Sequence, residues 1–388
     1  MRRVGLLVGT LAVLFGAVAC SSDDSGANPA TSVAATTATT SGAAQTTAPP
    51  DTTAPPAVQE RLYYAKEGRI FVVVPGEEPT AVTDGPRDDQ PAASPDGQHL
   101  AFVRLADASD TAGELWIADA DGGNAKLLVP VGVSQDPASS EGEPAAAFRP
   151  TWSPDSSTLA FMTTIGLDGG DLQTVDPATA IVTSPNPTVW VSSYSWTRDS
   201  KSLVFVSGTN DVSPVDIGVL DLDALATQTV VDATAAYGGV AVSPTGDEAI
   251  FVNSNLPLPP EGNGGFALAK PGLYSLTLTG GQPTTVVPDP DPDDYRWGVR
   301  DSAGCLWYAR QFAEGTGQVL LHRLCAGDAE PASPVTGLAL FPAVPAVAAS
   351  NAIAYMVEGD EHSLFVLEKP DGDPIHIDDG VTAFGWVQ

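Results

Sequence analysis

Few side chains in this sequence could do redox, metal or acid–base chemistry. There are three cysteines and four histidines, His99, His322, His362 and His376. So small and scattered a set argues against a multi-histidine metal enzyme. Cys305 and Cys325 bound the segment CLWYARQFAEGTGQVLLHRLC, with Gly315 and Gly317 at its middle. The segment reads as a β-hairpin whose two ends face each other. An even pair of cysteines in an oxidising compartment suggests a disulfide, with two buried thiols as the alternative. His362 and His376 lie near Asp360, Glu361, Asp378 and Asp379. His376 and Asp378 alternate along one strand, so they could share a face and hold a metal. Exposed polar strand residues account for the pattern equally, and the reading adopted is no metal site and no catalytic residue.

Acidic residues dominate what remains. Asp107, Asp110, Asp136, Glu141, Glu143, Asp211, Glu261, Asp289, Asp291, Asp293 and Asp294 fall in long connecting segments. They could attract a basic partner, capture a cation, or simply keep the surface soluble. The run DPDPDD (289–294) has the alternating aspartates of a calcium loop. It lacks the glycine at loop position six, which is Asp294, and the glutamate at position twelve, which is Arg300. The expectation is therefore no cofactor, with Ca²⁺ the one weak candidate.

The whole composition narrows the classes further. The 388 residues carry 48 Asp and Glu against 17 Lys and Arg, a net charge of −31. Phosphate neutralisation needs clustered Lys and Arg, so no nucleic-acid partner is expected. No Gly-x-Ser-x-Gly elbow, P-loop, HExxH or CxxC motif occurs. With 38 Gly, 34 Pro and no long helical periodicity, the chain is built of strands and turns.

One phrase recurs along residues 60–388. It appears as AASPDGQHLAFV (92–103), TWSPDSSTLAFM (151–162), SWTRDSKSLVFV (195–206) and AVSPTGDEAIFV (241–252), more weakly as WGVRDSAGCLWYA (297–309), and weakest as AVAASNAIAYMV (346–357). Aligned this way, Asp96, Asp155, Asp199, Thr245 and Asp301 are equivalent. Ser-Pro-Asp-Gly suits a type I turn. A short strand precedes it and an apolar strand follows. Two further strands, as in ELWIADADGGN (114–124) and Lys126–Val129, complete a four-stranded unit. One such sheet leaves a face unburied; sheets stacked radially bury one another, which is a β-propeller. The repeat aspartates are then turn-formers, and Trp152, Trp196, Trp297 and Trp386 belong between blades.

These phrases resemble the TolB-like, WD-repeat-related propeller repeat. The likeness covers nearly all of 60–388 and rests on WSPD…LAF followed by LWIADADGG. It implies a β-propeller and, by analogy, protein–protein contact; the count of first strands makes the all-β fold a seven-bladed β-propeller, with six blades as the fallback. First strands are expected at 90–94, 148–153, 192–197, 238–243, 294–299, 342–348 and 382–388. The last has no blade after it, while RLYYA (61–65) opens the domain as a second strand. The chain ends are thus expected to share a blade. The long segments 104–112, 131–147, 207–215, 254–270 and 288–294 fall where second strands lead to third, or fourth to first. Those connections emerge on one face, the expected binding surface.

Residues 1–19 read as a signal peptide: Arg2 and Arg3, an apolar run from Val4 to Phe15, then small residues. Cys20 after GAVA resembles a bacterial lipobox, although Ala17 stands where leucine is usual. The resemblance implies lipidation of Cys20, as with palmitate, and anchorage at the outer face of the cell membrane. Residues 21–59 hold nine Thr and ten Ala but no aromatic, Lys or Arg, a composition expected to remain a disordered tether. The functional expectation is a non-catalytic, exported binding or scaffold module for an envelope protein or cell-wall component. The alternatives are an extracellular propeller hydrolase or lyase acting on a glycan or lactone, and a ligand or cation sensor.

Overall fold

The computed structural model describes residues 60–107, 110–132, 145–164, 170–184, 190–207, 215–234, 236–253, 272–287, 294–311, 319–335, 345–357 and 361–386. Every regular element among them is a β-strand. The 28 strands form five four-stranded antiparallel sheets and one of eight strands. The larger sheet is two four-stranded sets joined where Gly170 pairs with Val191 and Asp171 with Trp190. In chain order the strands therefore make seven sets of four, numbered here as blades 1 to 7. Blade 1 holds strands Leu62–Lys66, Arg69–Val73 and Thr80–Ala81, together with Val381–Trp386 from the far end of the chain. Leu62 pairs with Trp386 and Tyr64 with Phe384. The first strands of the blades are Val381–Trp386, Asp88–Ala93, Ala146–Trp152, Trp190–Trp196, Ala236–Val242, Asp294–Arg300 and Ala346–Val347. Most pack beside the first strand of the next blade, so together they form the inner ring.

The recurrent turn has a chemical cause. The Ser94 N–H donates to His99 O, and the His99 N–H returns to Ser94 Oγ at 2.9 Å. The Ser94 hydroxyl donates to Asp96 Oδ1 at 2.5 Å, which also accepts the Gln98 N–H. Ser153 with Asp155, and Thr197 with Asp199, repeat the arrangement. The Thr197 hydroxyl and the Lys201 N–H hold the Asp199 carboxyl below the usual carboxylate range. These aspartates are turn-formers, and the backbone corrects one of the equivalences. The Asp301 N–H donates to Cys305 O, and the Cys305 N–H donates to Asp301 Oδ1 at 2.8 Å. Asp301 thus takes the place of Ser94, not of Asp96. The turn of blade 6 is one residue shorter than those of blades 2 to 5, and a carboxylate fills the hydroxyl's role.

Seven apolar clusters lie between neighbouring blades, one at each junction including that of blade 7 with blade 1. Leu115, Trp152 and Phe161 join blades 2 and 3; Leu62, Met356, Leu364 and Trp386 join blades 7 and 1. Each large apolar side chain so buried contributes about 1.5–3 kcal/mol. The tryptophans also tie backbones together. The indole N–H of Trp152 donates to Ala92 O, that of Trp196 to Thr151 O and that of Trp386 to Ala346 O, each on the preceding blade's inner strand. Turns between first and second strands are linked sideways as well: the Asp96 N–H donates to Ser156 Oγ, and the Asp155 N–H to Ser200 Oγ. Glu60 accepts from Ser350 of blade 7 at both carboxylate oxygens, fastening the start of the domain to this face.

Candidate functional site

The described residues give a partial view of the expected acidic surface. Asp136, Glu141, Glu143, Asp211, Glu261, Asp289, Asp291 and Asp293 lie outside them, as do Cys20 and the leader and tether. Asp294 is the first residue of the inner strand of blade 6. Asp107 and Asp110 close a small loop on themselves: the Asp107 N–H donates to Asp110 Oδ2 at 2.7 Å, and the Asp110 N–H to Asp107 O. The Asp110 carboxylate is therefore partly committed to the Asp107 backbone. The strands that flank these connections run second to third or fourth to first, so the strand ends they join lie at one end of the ring.

Cys305 and Cys325 form a disulfide across the hairpin of blade 6. An Arg323 Nη2–H donates to Cys305 Sγ at 3.0 Å. His376 and Asp378 do not share a ligand position. A bulge beside Leu364 and Phe365 intervenes. His376 Nε2 meets Asp379 Oδ1 at 2.9 Å, whereas Asp378 accepts from Lys66 Nζ and the Tyr64 hydroxyl of blade 1. Those two donors outweigh burial and hold the Asp378 carboxyl below the usual range. Among the described residues, no three His, Cys, Asp or Glu side chains are grouped so as to hold a metal ion.

The feature not foreseen in the sequence lies on the inner strands. Six of the seven have a register shift against their second strands. The intervening residues include Thr382 in blade 1, Gln90 in blade 2, Arg149 in blade 3, Ser192 in blade 4, Gly239 in blade 5 and Arg296 in blade 6. A bulge re-aims a side chain and adds local twist. Gln90 and Arg149 lie in the left-handed region, at φ 51° and 49°, which is unfavourable for residues with a Cβ. Gly239, at φ 102°, sits where a Cβ would come within 2.8 Å of Ser193 Oγ. Pro91 and Pro150 directly follow Gln90 and Arg149 in the bulges of blades 2 and 3. A proline inside a strand pattern marks a bulge or an edge, and that is the signal the sequence offered.

The bulges are tied into a lateral chain. The Thr382 hydroxyl donates to Asp89 Oδ1 at 3.0 Å, and the Gln90 N–H donates to the same oxygen at 2.7 Å. The Gln90 carboxamide spans two neighbours, donating to Thr111 O at 2.7 Å and accepting the Arg149 N–H at 2.6 Å. Arg149 Nη1–H donates to Ser192 O at 2.9 Å, and the Tyr194 hydroxyl reaches Arg149 O. The Val240 N–H donates to Ser193 Oγ at 3.3 Å. Burial pushes the Asp89 carboxyl above the usual range, against the pull of Gln90 and Thr382. Burial also raises the Tyr194 phenol. Thr382, Arg149 and Thr151 are exposed although they stand on inner strands, so solvent reaches the middle of the ring. The arrangement offers a rigid polar belt with an accessible guanidinium.

No known protein-family profile matches the chain, and no curated protein matches its sequence. Solved structures match its fold. TolB from Acinetobacter baumannii aligns at 17% identity and a TM-score of 0.52, over 75% of this chain and 66% of that one. The tricorn protease aligns at 13% identity and a TM-score of 0.58, over 83% of this chain and 34% of that one. The β-propeller domain of the Trilobed protease from Pyrococcus furiosus aligns at 16% identity and a TM-score of 0.55, over 83% and 92%. The chain thus spans about two thirds of the TolB structure and one third of the tricorn protease. The fold is a TolB-like β-propeller.

Proposed function

We propose that this protein is an exported lipoprotein whose propeller is a non-catalytic binding or scaffold module for an envelope protein or a cell-wall component. One observation supports the reading above others: the two ends of the ring are built differently. Short turns, fastened to one another by hydrogen bonds such as Asp96 N–H to Ser156 Oγ, make one end. The strand ends joined by the long connections, and the belt of inner-strand bulges, belong to the other. Variable segments on a rigid frame are the usual place for recognition. The anchoring half of the proposal rests on residues 1–20; palmitate incorporation that is lost in Cys20→Ala is its test.

The binding half is tested by crosslinking and mass spectrometry on the tagged full-length protein in its own membranes, beside a variant lacking 254–270. One dominant partner, lost in the variant, is the expected result. No specific partner in either sample overturns the scaffold reading, and the full-length protein would then be screened against glycans, metals and hydrolase substrates.

A further inference from the structure

We propose that Arg149, on the inner-strand bulge of blade 3, is the recognition site for a carboxylate on an otherwise neutral ligand that enters the centre of the ring. The inference rests on the binding-module reading and names the chemistry that reading would recognise.

The first ground is placement. Arg149 is exposed, on a strand that belongs to the inner ring. Its backbone is held at φ 49°; its N–H donates to Gln90 Oε1 and its carbonyl accepts from the Tyr194 hydroxyl, which fixes that conformation. Both belong to neighbouring blades, so three blades combine to aim one side chain.

The second ground is pairing. Among the described residues, several other arginines are neutralised or used in turns. Arg104 pairs with Asp88, Arg300 with Glu248 and Arg323 approaches Asp301; Arg198 donates to Pro244 O. Among the described residues Arg149 has no carboxylate partner. Its contacts are one Nη1 bond to the Ser192 carbonyl and the ring face of Phe148, whose centroid lies 5.8 Å from Cζ. That bond orients the planar fork while its remaining donors stay available, the geometry that suits a carboxylate. The acidic group in the belt, Asp89, is already occupied by Thr382 and the Gln90 N–H. An exposed cation with no internal counter-charge is notable in a chain of net charge −31.

The third ground is the net charge itself. A field of that sign disfavours polyanions over the whole approach. One carboxylate on a neutral body loses little to that field and gains the fork at short range. A peptide ending in a free carboxyl and a simple sugar acid both have this chemistry.

Calorimetric titration of the full-length protein in detergent separates them. The probes are acetyl-dialanine and its C-terminal amide, and galacturonate and galactose. The expected result is that at least one acid binds, its neutral partner does not, and Arg149→Gln weakens the acid at least tenfold. Arg149→Lys keeps charge without the fork and should fall between; it also serves if the Gln variant fails to fold. Arg198→Gln, on the opposite end, should bind as the parent does. Binding by neither acid, equal binding of acid and neutral partner, or full binding by folded Arg149→Gln overturns the proposal. If the parent still captures its membrane partner while no acid binds, the carboxylate site falls and the scaffold reading stands. If an acid binds but no partner is captured, the scaffold reading falls and the site stands.

Discussion

Two buried polar residues of blade 6 show how much a single side chain carries. Asp301 is 2% exposed and accepts the Cys305 N–H and the Trp307 indole N–H, with Arg323 Nε at 4.0 Å. Replacing it with alanine strands two donors and leaves a guanidinium without its counter-charge. We expect Asp301→Ala to lower the unfolding free energy by about 3 kcal/mol in urea titrations, well beyond Asp96→Ala on the exposed turn. His322 is buried against Tyr308 with Ser333 at its Nδ1. Burial, with Arg310 nearby, pulls its imidazole down to about 4. The folded protein therefore keeps it neutral, while the unfolded chain takes up a proton as pH falls through its ordinary value of about 6.5. Its contribution is fully present above about pH 6.5 and is lost as pH falls to about 4, on the order of 2–3 kcal/mol. His322→Phe should flatten the difference between urea midpoints at about pH 7 and about pH 4.5. An unchanged pH dependence in that variant would show that other groups govern acid unfolding.

At the scale of the element, the strand that matters most is the last. Val381–Trp386 pairs with Leu62–Lys66, and Trp386 fills the cluster between blades 7 and 1. The tie is local in space but spans the chain: Thr382 reaches Asp89, and Asp378 reaches Lys66. Removing 381–388 deletes one strand of blade 1 and part of two junctions. We expect the melting temperature to fall by roughly ten degrees or more, with a broader transition. A truncated protein that melts like the parent would mean the ring does not depend on that pairing. Gly122 shows the same economy in a turn. At φ +85° a Cβ there would lie 1.6 Å from Val82 O of blade 1, so the third-to-fourth-strand turn of blade 2 packs tightly on its neighbour.

At the scale of the molecule, seven similar junctions share the load, as in any array whose units bury each other. The charge acts on all of them together. At −31, self-repulsion opposes the compact state, and salt should relieve it. We expect the melting temperature to rise steadily between about 20 mM and about 500 mM NaCl. A fall over that range would indicate that attractive ion pairs such as Lys66–Asp378 and Arg104–Asp88 outweigh repulsion.

The repeated Ser-Pro-Asp phrase, the apolar strand after it and the Gly- and Pro-rich punctuation are local signals, and they determined the strands, the turns and the propeller. The same is true of the cysteine pair, because a hairpin places its own ends together. What the local pattern did not contain was register. The turn of blade 6 is a residue shorter than those of blades 2 to 5, so Asp301 moves into the position of Ser94, and a bulge separates His376 from Asp378. The inner-strand bulges are likewise invisible in hydrophobic patterning. The residues that hold them, Gln90 for Arg149 and Tyr194 for its carbonyl, come from different blades and are 59 and 45 positions away. Sequence therefore decided the units and their order. Only the closed packing of those units decided which side chains meet on the inner strands and left Arg149, among the described residues, without a carboxylate partner there.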